Sequence, residues 1–120
     1  MKIIVVLLSL IFIGCDESTG VRQTYVLTTG TTSATYYPVG VALATLVSAN
    51  EESEFALTAI SSAGSLENVK LLRDNQAQFA TMLSIFATWA YEGEGPILRP
   101  QKHMRSVTAL WPNVEHLLLR

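Results

Sequence analysis

Three times along this chain a short apolar run ends in a small, hydroxyl-rich segment, and that segment opens a helix-like stretch. The runs are Thr24–Thr28, Phe55–Ile60 and Gln78–Leu83, and the segments after the first two are Thr28–Gly40 and Ser61–Ser65, with Ser84 following the third. Compact runs rich in Val, Ile, Leu, Phe and Tyr suit buried strands. Regular alternation with helices predicts an α/β fold, a mainly parallel sheet flanked by helices. Ligands of such sheets sit at the carboxyl ends of the strands, so the three loops should converge on one rim.

The helices have local signals of their own. Pro38 fits a first helical turn, where its missing N–H costs nothing. Val39, Leu43, Leu46 and Val47 then form an apolar stripe, and Asn50 with Glu51, Glu52 and Glu54 ends the helix on a solvated surface. Ser65 is read as the N-cap of the second helix, with Glu67 in its first turn and Leu66, Val69, Leu71 and Leu72 on its buried side through Arg73. Ser84 is read as the N-cap of the third, which places Phe86, Trp89 and Ala90 on one side. Gly93-Glu94-Gly95-Pro96 breaks that helix. Ile97–Met104 reads as a loop, while Arg105–Leu110 and Val114–Leu119 read as strands about a Trp111-Pro112-Asn113 turn. Trp89 and Trp111 are assigned to the core.

The amino terminus belongs to a different class of sequence. Lys2 precedes an apolar run, Ile3–Ile13, interrupted only by Ser9. A bilayer span needs about 20 apolar residues, so this run has the proportions of a signal peptide covering residues 1–14. Gly14 precedes Cys15, the only cysteine, in the manner of a bacterial lipobox, and Cys15 is the expected lipidation site. Asp16 after it resembles the signal that keeps lipoproteins at the inner membrane. Residues 15–22 then form a polar tether and residues 23–120 the domain. With Lys2 removed, 7 basic residues face 10 acidic ones, and no Lys/Arg cluster occurs. That balance argues against nucleic acid as a partner. One cysteine allows no intrachain disulfide.

The loops point to binding more than to bond-breaking. Thr28–Tyr37 has hydroxyls, aromatic rings and amides at a helix start, which suit a small anion, but no acid or base. It lacks the Gly-x-Gly-x-x-Gly and Lys-Ser/Thr patterns of nucleotide sites, and the chain has no Gly-x-Ser-x-Gly elbow. His103 and His116 stand alone, without neighbours at metal-ligand spacing. No metal or cofactor is expected. The proposed ligand contacts are Thr31, Thr32, Ser62, Gly64, Ser65 and Ser84, with Tyr36 or Tyr37 closing over the ligand. The rivals are a small structural or partner-binding lipoprotein and, less favoured by the residues, an enzyme fragment.

These motifs resemble those of the TAXI family of solute-binding proteins, the receptors of a class of tripartite ATP-independent periplasmic (TRAP) transporters. The opening Thr-Gly-Gly-Thr-Gly-Gly-Thr-Tyr-Tyr-Pro-Leu-Gly pattern of that family is similar to Thr29–Gly40. Its Thr-Gly-Gly-Ser-Val-Glu-Asn is similar to Ser62–Asn68, and its Gly-Glu-Gly-Pro to Gly93–Pro96. The resemblance implies the first lobe of a two-lobe, type II periplasmic-binding-protein fold, truncated here, with a carboxylate such as glutamate as ligand and a membrane permease as partner. Alone, such a lobe presents half of a site. Family glycines are replaced by Thr31, Ser33, Ala34 and Ala63, and a polar pair around Ser84 by Leu83 and Ile85, which implies a bulkier and less polar pocket.

Overall fold

The computed structural model describes residues 22–112 and 114. The leader, Cys15 and the tether up to residue 21 lie outside them, as does nearly all of the expected last strand. Three parallel strands, β1 (Gln23–Thr28), β2 (Phe55–Ile60) and β3 (Phe79–Ala80), pair in the order β2-β1-β3. Between and after them run α1 (Tyr36–Ala49), α2 (Ser65–Arg73) and α3 (Ser84–Glu92). The α/β alternation and the parallel sheet read from the sequence are both present.

Side chains alternate across a strand, so neighbours of β1 reveal which helix covers which face. A Cβ placed on Gly40 of α1 would meet the side chains of Thr29 and Leu27. On the other face, Thr28 Oγ1 hydrogen-bonds Asn68 of α2 at 2.8 Å. Helix α1 therefore lies on one face and α2 on the other. The chain leaves β1 toward β2 over one face, then returns past β1 to β3 over the opposite one. This reversal is a topological switch point, the place where open α/β sheets bind ligands.

Gly40 explains why α1 can approach so closely. Its missing Cβ leaves room for the Thr29 methyl, and Ala44 one turn on is only 6% exposed. The contact stripe of α1 thus runs through small residues. Leu46, read from the sequence as part of that stripe, is 70% exposed, because the helix meets the sheet through Gly40 and Ala44 instead. Ser48 fastens the far end: its hydroxyl donates to Leu57 O and accepts from Leu57 N, both at 2.9 Å. Tyr25, Phe55 and Phe79 pack together on the same face as Leu27, with ring centroids 5.4–6.1 Å apart. Beneath α2 and α3, Val69, Ala90 and Ile97 form a second apolar core, bordered by Met82, Trp89 and Met104.

Several local expectations are corrected. The third strand shrinks from Gln78–Leu83 to Phe79–Ala80. At its start Gln78 Oε1 takes the Val26 N–H at 3.0 Å, so a side chain stands in for a backbone carbonyl, and at its end the Thr81 carbonyl is taken by Asn68 Nδ2 at 2.6 Å. Ser65 and Ser84 are not N-caps but first helical residues; Gly64 and Leu83 hold the cap positions, without side-chain cap bonds. Gly64 has φ +104°, a conformation that L side chains rarely adopt. Arg105–Leu110 forms no strand. The Arg105 guanidinium instead folds back onto the carbonyls of Lys102 and Met104, at 2.6 and 2.8 Å. Trp111 is not a core residue either; it is 38% exposed and packs against Tyr36, centroids 5.6 Å apart.

Candidate solute-binding rim

The carboxyl ends of the three strands are joined by one buried side chain. Asn68 is fully buried, and both halves of its amide are satisfied. Its Oδ1 accepts from Thr28 Oγ1 at 2.8 Å and from Ser62 Oγ at 2.6 Å. Its Nδ2 donates to Thr29 O and to Thr81 O, each at 2.6 Å. Residues following β1, β2 and β3 are thereby tied to one point on α2. Thr29 and Thr28 are also fully buried, and Thr29 Oγ1 donates to Ile60 O at 2.7 Å. Such a network carries a large penalty for losing any member, because buried polar groups would be left unpaired.

Backbone bonds extend the same stitching. Thr29 N donates to Ile60 O, Ser62 N to Gly30 O and Thr81 N to Thr28 O, at 3.0–3.1 Å. Ser62 Oγ also accepts from Gly64 N at 3.1 Å, and the Glu67 carboxylate accepts from Ala63 N. Ser65 Oγ accepts from Leu83 N at 3.0 Å, which links the loop after β2 to the loop after β3. The predicted convergence of the three loops is present in full.

Above this network lies an open hollow of about 440 Å³. Thr31 and Tyr36 line it from the first loop, Gly64, Ser65 and Leu66 from the second, and Leu83 with Phe86 from the third. Gly30, Ala34 and Ala63 complete its wall. Four of the residues expected from sequence therefore share one surface: Thr31, Tyr36, Gly64 and Ser65. Four do not line it. Thr32 and Ser84 are exposed beside it, Tyr37 is half-buried on the first turn of α1, and Ser62 lies beneath in the Asn68 network. The lining contains no acid, base or histidine. Hydroxyls and main-chain groups supply its polarity, and Tyr36, Leu66, Leu83 and Phe86 supply its apolar area.

Sequence reasoning missed Asn68, whose position among Leu66, Val69 and Leu72 looks like an ordinary polar interruption. It also missed Leu66 and Phe86 as lining, since both fit helix stripes. The signal for Asn68 was there in principle: a polar residue adjacent to Val69 must find partners once α2 packs on the sheet.

A second hollow, of about 240 Å³, lies between α2 and the loop after α3. Leu66, Val69, Ile97 and Leu98 form its apolar part, and Lys70, Arg73 and Arg99 its charged part. Arg73 is held by Asp74 at 2.7 Å. Their hydrogen bond keeps the Asp74 carboxyl below, and the Arg73 guanidinium above, their ordinary pKa values. Among the described residues, no group of three His, Cys, Asp or Glu side chains converges in the geometry of a metal site.

No solved structure matches the chain. A protein-family model does match, over residues 27–120, which takes in the last two residues of β1, all of β2 and β3, the Asn68 network and the rim. A parallel sheet with strand-end loops that meet at its switch point fits that match, and the chain belongs to the NMT1-like family, a periplasmic solute-binding-like family.

Proposed function

We propose that the chain is the first lobe of an extracytoplasmic solute receptor of the TAXI type, which captures a small carboxylate, an amino acid or other organic acid. In this reading it faces the periplasm, is held at the inner membrane by a lipid on Cys15, and passes its ligand to a TRAP permease driven by an ion gradient. The single observation that carries the binding role is the convergence of three strand-end loops on one hollow at the sheet's switch point. Thr31 and Ser65 offer hydroxyls there, and α2 begins at Ser65, a helix N-terminus of the kind that favours anions, where the Glu67 carboxylate already accepts from Ala63 N. Tyr36, braced by Trp111, supplies an aromatic wall.

Binding is favoured over catalysis because the lining holds no group able to move a proton near neutral pH. Membership of a solute-binding-like family supports the same side. Calorimetric titration of the protein with a panel of amino acids and organic acids tests the role. Saturable binding of at least one is expected, and heat of dilution alone across the panel contradicts it. Palmitate labelling that disappears in Cys15→Ser is the expected sign of the anchor, and labelling unchanged in that variant removes it.

A further inference from the structure

The hollow at the strand ends has a composition that bears on which carboxylate it takes. Every lysine and arginine among the described residues is engaged or placed elsewhere. Arg22 donates to the carbonyls of Ser48 and Asn50, Lys102 pairs with Glu92 at 2.8 Å, and Arg105 bonds its own loop. Lys70, Arg73 and Arg99 line the other hollow. One carboxylate on the rim can be held by neutral donors, since hydroxyls and first-turn amides suffice for a single negative charge. On this lobe a second carboxylate would face the side chains of Leu66, Leu83 and Phe86, which offer it no hydrogen-bond donor, whereas an apolar group there gains by leaving water.

We propose that this rim selects a monocarboxylate carrying an apolar side group, with Leu66, Leu83 and Phe86 as the wall that receives that group. The inference rests on the solute-binding reading and narrows it away from dicarboxylates such as glutamate. Phe86 is fixed edge-to-face against Trp89 at 5.3 Å, so its ring is a set surface for the ligand's apolar end. Leu66 is 36% exposed, an apolar side chain left open where the cavity needs one.

L-leucine and L-glutamate make a matched pair of probes, because their amino and carboxyl groups are identical and only the side chain changes. Calorimetry of the whole protein is expected to give L-leucine at least tenfold tighter binding than L-glutamate. Phe86→Ala is expected to weaken L-leucine about tenfold while changing L-glutamate less than twofold. Leu66→Gln, at a partly exposed position, is expected to weaken L-leucine several-fold with the circular dichroism spectrum unchanged, which covers the case where Phe86→Ala unfolds. Equal or tighter binding of L-glutamate overturns the proposal and leaves solute binding intact. Absence of binding by these two and by every other acid in the panel overturns both.

Discussion

The two hollows of this molecule share one residue, Leu66, yet they are built from different materials. The one at the strand ends is neutral, shaped by loops that Asn68 ties together from below. The one beside it is framed by Lys70, Arg73 and Arg99, on a helix flank and a surface loop. Charge alone would single out the second as the anion site. Topology singles out the first, because only there do the loops of all three strands meet, over a network in which the Asn68 amide has all its partners and Thr81 Oγ1 is, among the described residues, the one buried side-chain atom without one. A fixed array of neutral donors needs no reorganisation when a ligand arrives, whereas long exposed cations must be ordered first. Under the proposed receptor role, position on the sheet, not the count of positive charges, marks the site.

The sharpest way to break that contrast is to remove the tie. Asn68→Ala takes the partner from Thr28 Oγ1 and Thr81 O and leaves Ser62 Oγ and Thr29 O with each other, and should lower stability by about 2–4 kcal/mol in urea unfolding. A loss under about 1 kcal/mol would mean that the rim is not held from beneath. Gly40→Ala should cost about 2 kcal/mol, because its new methyl collides with that of Thr29. Adding Thr29→Ser removes the opposing methyl and should recover part of the loss, as a double-mutant cycle would report.

Smaller effects separate the hollows more finely. Ser65→Ala deprives Leu83 N of its acceptor and should cost about 1 kcal/mol, with weaker solute binding in calorimetry. Lys70→Gln and Arg99→Gln together should change stability by less than about 0.5 kcal/mol and leave rim binding as it was. Acid titration should show the least. The folded pKa of Asp74 is depressed by Arg73, so the pair's contribution is present above the carboxyl's unfolded pKa and fades as pH falls through the lowered one. Because both side chains are about half exposed and the pair sits in solvent, Asp74→Asn should flatten this dependence only slightly.

Much of the frame was legible before any coordinates. Phe55–Ile60 reads as a strand from composition alone and is one over the same residues. The loops after it and after β1 are recognisable because hydroxyls and glycine interrupt apolar runs. What could not be read depends on contacts distant in sequence. Gln78 carries no sign that its side chain will take the Val26 N–H, 52 positions away, at the start of β3, nor Thr81 that its carbonyl will go to Asn68 at the end. Ser65 and Ser84 look like caps by residue type, but a cap is set by backbone geometry, and the chain enters each helix one residue earlier. Leu46 fits a helical stripe, yet the sheet is approached through Gly40 and Ala44. Trp111 suits a core by size, and only the path of the chain after α3 brings it to Tyr36.

Amide chemical shifts of the protein titrated with L-leucine test the central claim most directly, since they report where a solute binds as well as whether it does. The account predicts saturable shifts clustered in Gly30–Tyr36, Ala63–Leu66 and Leu83–Phe86, the three stretches that line the neutral hollow. Shifts centred on Lys70, Leu98 and Arg99 would instead place the solute in the basic hollow and contradict it.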